Sequence, residues 1–124
     1  MDHAFTLRRG YELLSAGDVD EFAELVAEDF VEHEEPPGVA PTKQGVKDFF
    51  QTYLAAFPDM RMDVQAVVSS GDKVVARVRA TGTHQGEFMG MPATGRRVDV
   101  QLIEIMRFAD DGLVHELGAS STNR

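Results

Sequence analysis

Thr42-Lys-Gln-Gly-Val-Lys-Asp-Phe-Phe-Gln-Thr-Tyr-Leu-Ala-Ala-Phe-Pro58 is the stretch that decides the fold class. Val46, Phe49, Phe50, Tyr53, Leu54 and Phe57 recur at helical spacing and make one broad apolar stripe. Pro58 ends it, because a proline pushes the preceding residue out of helical geometry. Beyond Pro58 the period changes. Residues 60–69 and 73–83 are rich in Val and flank Ser69-Ser70-Gly71-Asp72, a hairpin turn signal. A glycine-rich loop from Gly82 to Gly95 leads into a long strand, Arg96 to Phe108. Asp110-Asp111-Gly112 then turns the chain into a last strand, Leu113 to Ser121.

Upstream of Thr42 the pattern is helical. Ala4, Leu7, Tyr11 and Leu14 predict a first helix that Gly17 stops. Asp18-Val19-Asp20-Glu21 has the form of an N-cap with an acid three residues on, opening a short helix whose Val19, Phe22 and Val26 share a face. Residues 30–33 read as a short extended segment. Glu35-Pro36-Pro37-Gly38 then begins a loop that runs to Thr42. Helices first and antiparallel strands afterwards specify an α+β fold, with the helices packed on one face of a curved antiparallel sheet. No repeat or linker divides residues 1–124, so a single domain is expected.

Composition limits the function. The 124 residues hold no cysteine, which removes disulfides, zinc–cysteine sites and thiol nucleophiles. Twelve Lys and Arg against twenty-one Asp and Glu give a net charge of −9, which repels nucleic acid and anionic membranes. The acids are concentrated between Arg9 and Lys43, where no Lys or Arg occurs, and read as a solvated outer surface. Met1-Asp2-His3-Ala4 does not open a secretory signal, and no apolar run approaches the ~20 residues of a membrane span, so a cytoplasmic chain is expected.

Asp29-Phe30-Val31-Glu32-His33, the aromatic helix after Gly45, and Ala56-Phe57-Pro58-Asp59-Met60 resemble the first half of a SnoaL-like polyketide cyclase. The second half agrees, since the segment from Gly82-Thr83-His84-Gln85-Gly86 through Phe88-Met89-Gly90-Met91 to Gly95-Arg96-Arg97 is similar to that family's long loop and strand start. The resemblance runs from about Leu13 to Gly112 and implies a cone-shaped nuclear-transport-factor-2-like fold, usually a homodimer. It also implies an intramolecular aldol closure through an enolate, on a polyketide-like carbonyl compound and without metal or cofactor. That chemistry needs a base whose pKa is raised towards neutrality and a donor for the developing oxyanion.

The resemblance points to several residues. His33 stands where the family keeps a pocket histidine, and an ordinary loop histidine is the competing reading. His84 lies in the loop motif, where it serves either the ligand or the turn itself. Gln101 matches a cavity glutamine and the expected oxyanion donor, while Ile103 occupies the place of an expected histidine. The family's C-terminal aspartate is absent, and Glu116 is the only carboxylate on the last strand. Glu116 or His33 is therefore the candidate base, provided the Glu116 face is inward. Tyr53, Phe57, Phe88 and Met89 would wall a flat apolar ligand, against core packing for the first two. Alternation puts Asp99, Gln101, Ile103, Ile105 and Arg107 on one face of their strand and Val100, Leu102, Glu104 and Met106 on the other. It leaves open which face lines a cavity and which meets a partner. Two alternatives stand beside the cyclase: a diverged pocket that hydroxylates, hydrolyses, isomerises or merely binds, and a protein-interaction module.

Overall fold

A computed structural model describes residues 2–33, 40–88 and 90–122. Helix α1 (His3–Ser15) starts at Asp2, whose Oδ1 accepts the Phe5 N–H at 3.2 Å, and it buries Leu7, Tyr11 and Leu14. Gly17 follows at φ 83°, left-handed geometry that suits glycine. Helix α2 (Val19–Ala23) carries Asp20 and Glu21 in its first turn, but Asp18 makes no side-chain cap bond. The helix is short because the chain turns extended at Val26, opening strand β1 (Val26–Glu32). Val26 is therefore a strand residue and not part of the α2 face, since it pairs with Val114 across the sheet.

Helix α3 (Lys43–Ala56) begins where the sequence places it, with Thr42 Oγ1 accepting the Gly45 N–H at 3.2 Å. Strands β2 (Arg61–Ser70), β3 (Lys73–Thr83), β4 (Arg97–Phe108) and β5 (Val114–Thr122) follow. The sheet order is β1-β5-β4-β3-β2. Pairing is antiparallel from β2 to β5, while β1 joins β5 in parallel, so the sheet is mixed at that edge. The crossover through α3 carries the chain from one edge to the other and lays the helices over one face, as the α+β reading requires.

That inner face holds the core. Val74, Ala76, Val78 and Ala80 of β3 meet Met106 and Phe108 of β4 and the apolar sides of α1 and α2. Coverage is uneven. The inward residues of β4 are buried from Glu104 to Phe108 but only half-buried at Val98, Val100 and Leu102. Phe50, Tyr53 and Leu54 of α3 are half-buried as well. Glu12, Asp18, Asp20, Glu21, Glu24, Glu28 and Asp29 are all exposed, so the acidic stretch forms outer surface. Lys47 to Asp20 (2.8 Å) and Lys43 to Glu28 (3.0 Å) tie α3 to that surface. Among the described residues no helix is long and apolar enough to cross a membrane. The Glu35-Pro36-Pro37-Gly38 loop and Met89 lie outside the described residues.

Candidate active site

Glu104 is the one charged side chain among the inward residues of β4, and only 6% of it is exposed. Its neighbours across the rung are Ala76 and Ala119, small residues on both sides. Tyr11 of α1, 3% exposed, donates its hydroxyl hydrogen bond to the Glu104 carboxyl. Oε2 of Glu104 is buried and has no hydrogen-bond partner among the described residues. Burial pushes the Glu104 carboxyl up to about 7, against the Tyr11 bond, which favours the carboxylate, while the negative charge of Glu32 adds to the rise. Burial also raises the Tyr11 phenol well above its ordinary value, so it is a neutral donor. A carboxyl that exchanges protons near neutrality is what carbon-acid chemistry requires.

His33 and Glu116 do come together, with Nε2 3.2 Å from Oε2, but at the exposed rim of the sheet. Arg107 Nε sits 3.1 Å from the other Glu116 oxygen. The hydrogen bond from His33, then that from Arg107, holds Glu116 below the usual carboxylate range. The face condition fails as well, because Leu117 takes the inward position next to Glu116 and is buried. Glu116 is thus an ion-paired surface carboxylate, a weak proton acceptor at neutral pH.

Gln101 and Ile103 lie on the outer face, opposite Thr122 and Ser120, and Ile103 is 42% exposed. The strand alternation that sends Glu104, Met106 and Phe108 inward turns both of them away from the helices. The inward place beside Ile103 belongs to Glu104. A single carboxylate in the row Val98, Val100, Leu102, Glu104, Met106 and Phe108 was the available signal, and it needed the inward face to be known. Tyr11 gave no separate signal, since it fits the apolar stripe of its helix.

The loop end holds a third group. Phe88 packs edge-on against Tyr53 at 5.6 Å and Phe57 at 5.7 Å, and Tyr53 stacks on Phe57 at 4.7 Å. Backbone bonds in both directions join Phe88 to Met91 and fix the tip. His84 is buried, stacked on Phe57, and its Nδ1 lies 3.0 Å from Thr94 Oγ1, while its carbonyl accepts the Gly95 N–H. These contacts hold the turn. Thr83 is level with Arg97 and Ala76 with Glu104. At roughly 3.3 Å per residue, His84 therefore stands on the order of 20 Å along the sheet from Glu104. The two cannot act on one atom. Among the described residues no group of three or more His, Asp or Glu is arranged to hold a metal ion.

A family model of the SnoaL-like polyketide cyclases matches residues 5–119. The chain belongs to that family. Among relatives of this SnoaL-like chain, the aklanonic acid methyl ester cyclase DauD of Streptomyces sp. strain C5 is 29% identical over 111 residues. The match takes in 84% of this chain and 66% of DauD, so the SnoaL-like chain spans just under two thirds of that relative. IdmH of Streptomyces antibioticus, a proposed polyketide cyclase, superposes with a TM-score of 0.83 at 35% identity, over 98% of this chain and 92% of its own. AclR of Streptomyces galilaeus, a proposed hydroxylase, gives 0.84 at 29% identity, over 97% and 88%. The cone of helices on a curved, unclosed sheet is thus the fold of these SnoaL-like structures.

Proposed function

We propose that this chain is an acid–base enzyme of the cyclase type, acting on a polyketide-like carbonyl compound at the inner face of its sheet. The observation that carries the reading is Glu104, a buried carboxyl with a pKa of about 7, bonded to Tyr11 and bearing one unpartnered oxygen. As carboxylate it takes a proton from a carbon between two carbonyls. The enolate carbon then attacks a second carbonyl of the same molecule, the ring closes, and the new alkoxide takes the proton back from the Glu104 carboxyl, which restores the carboxylate. The flanking carbonyls acidify the carbon, so the reaction calls on no cofactor. Half-buried Val98, Val100, Leu102, Tyr53 and Phe50 supply apolar wall for a flat substrate. His84 keeps a part as the residue that holds the Phe88 loop, and His33 and Glu116 keep one with Arg107 at the border of the outer sheet face.

The test is turnover of aklanonic acid methyl ester, the compound in the name of the Streptomyces relative, followed by chromatography and mass. A product isomeric with the substrate, formed by the native chain and lost in Glu104→Gln, supports the reading. Full activity of that variant removes Glu104 from the chemistry. The likeness to AclR favours a second reading, hydroxylation; its product would carry an added oxygen atom. Binding without change of the compound would instead mark a ligand-binding protein.

Pairing of two copies through the outer sheet face belongs to the same proposal. Val68, Val75, Ile103 and Ile105 are exposed there, between the same-face ion pairs Arg61–Asp63, Arg79–Asp99 and Arg107–Glu116. The acidic helical side, by contrast, repels its own copy.

A further inference from the structure

Arg77 stands among the apolar residues of the outer sheet face with no acid to meet it. Ile103 is level with it on β4 and Ala66 on β2, and the next rung along the same face is Val68, Val75 and Ile105. Arg77 is exposed, and among the described residues it makes no ion pair or side-chain hydrogen bond. The acids that share this face from β2 to β5 are already held: Asp63 by Arg61, Asp99 by Arg79 and Glu116 by Arg107. Lys73 and Arg97 are in no ion pair either, but they stand at the two ends of the face, level with Arg107 and with Thr83. At about 3.3 Å per residue they are roughly 13 Å and roughly 20 Å along the sheet from Arg77, outside the apolar row, and keep their water.

Pairing two copies through the apolar row covers the neighbours of Arg77 and takes its guanidinium out of water with them. A charge desolvated without a counter-charge is costly. The second copy does not supply one, because its own Asp63, Asp99 and Glu116 are engaged in the same three pairs. We infer that the paired faces form a binding site for a small oxyanion, a phosphate or carboxylate group held by Arg77 in each copy, and that its uptake governs dimer formation. The guanidinium presents a planar fork of N–H donors that matches two oxygens of such a group. In the separate chain the same fork is hydrated and holds an anion weakly; between two faces, with less water to compete, it holds one firmly. An anion bound more tightly by the pair than by the single chains draws the equilibrium toward the dimer as its concentration rises. The inference rests on the pairing reading above and adds what that pairing requires.

The experiment measures the dimer dissociation constant of the full chain by sedimentation velocity in sodium chloride, inorganic phosphate and sodium acetate, at one pH and matched ionic strength, with Arg77→Gln alongside. The native constant should fall about 10-fold from chloride to phosphate, to acetate or to both. A response to phosphate alone or to acetate alone names the group, and a response to both admits either. Phosphate also strengthens apolar association in general, because it is excluded from protein surfaces; the change that survives in Arg77→Gln measures that part. Arg77→Gln lies on the exposed face and leaves the core intact. It should pair more tightly than the native chain in chloride, where its uncharged amide replaces an unmet guanidinium, and should lose the specific response. A native dimer with one constant in all three salts overturns the inference and leaves the pairing reading standing, since the guanidinium would then reach water past Ala66. An equal response in native chain and variant overturns it as well. A native chain that stays monomeric in every salt removes both readings together.

Discussion

Tyr11 on the first helix donates a hydrogen bond to Glu104 on the fourth strand, and both side chains are closed off from water. The contact fastens α1 to the middle of the sheet with a group that is costly to bury when charged. A carboxyl so placed relieves the cost by keeping its proton to higher pH.

The first prediction concerns stability. The carboxyl titrates at about 7 in the folded chain against an ordinary value of 4.5. The native state therefore holds this proton more tightly than the unfolded chain does. The stability it contributes is full below the unfolded value and is lost as pH rises through the folded one, a fall of about 3 kcal/mol. Glu104→Gln keeps the volume and cannot ionise, so it should lack that fall. Urea unfolding of both proteins at about pH 5 and about pH 8 checks this; equal losses in the two would contradict it.

Removing the Tyr11 hydroxyl acts in the opposite sense to neutralising Glu104. The bond favours the carboxylate, so Tyr11→Phe should raise the Glu104 pKa further and move any acid limb of activity upward. It should also cost about 1–3 kcal/mol, because a buried acceptor loses its partner. Carbon-13 NMR titration of labelled Glu carboxyls reads the first effect and chemical denaturation the second.

Local signals explain why most of the fold was legible. Thr42, the stripe from Val46 to Phe57, and the Ser70 to Lys73 turn each act over a few residues, and each element formed there. Val26 misled because Val19, Phe22 and Val26 have helical spacing, whereas its strand pairing is with Val114, far along the chain. Asp18 has the composition of a cap but not the hydrogen bond. The site was half legible for a related reason. Alternation sorted Gln101 and Ile103 from Glu104 and Met106, yet which set faced the helices depended on α1 docking. Glu116 and His33, chosen as alternative bases, stand 3.2 Å apart, but Arg107 from the neighbouring strand makes Glu116 an ion pair.

Glu116→Gln tests that reassignment. The carboxylate is exposed and shared between His33 and Arg107, and exposed pairs contribute little to stability. The variant should unfold with an unchanged midpoint and keep the bulk of its turnover, with any effect confined to substrate affinity. A collapse of the catalytic rate with affinity intact would return the role of base to Glu116.

The aromatic end depends on a close backbone approach at Gly86. A Cβ there would lie 2.8 Å from the Ala55 carbonyl oxygen, and the Gly86 N–H is already bonded to Ala56 O. Gly86→Ala must therefore push the loop off α3, loosening Phe88 from Tyr53 and Phe57, at about 1–3 kcal/mol. The chain has no tryptophan, so near-ultraviolet circular dichroism reports on Tyr and Phe directly. A weakened signal with a lowered unfolding midpoint is expected; an unchanged signal would show that the loop absorbs the methyl group.

The outer face gives the last prediction. Val68, Val75 and Ile105 are level across β2, β3 and β4, forming one exposed apolar row with Ile103 beside it, and Ile105 is 45% exposed. The ion pairs Arg61–Asp63, Arg79–Asp99 and Arg107–Glu116 around the row are satisfied within one chain, so these groups need no partner from a second copy. Ile105→Asp places a carboxylate in the middle of each face, and desolvating it on pairing is unfavourable. The inner face is untouched, and the isolated chain should remain folded. Sedimentation velocity should therefore show a dimer for the native chain and a monomer for the variant. A native chain that sediments as a monomer at tens of micromolar would leave the row as ordinary surface.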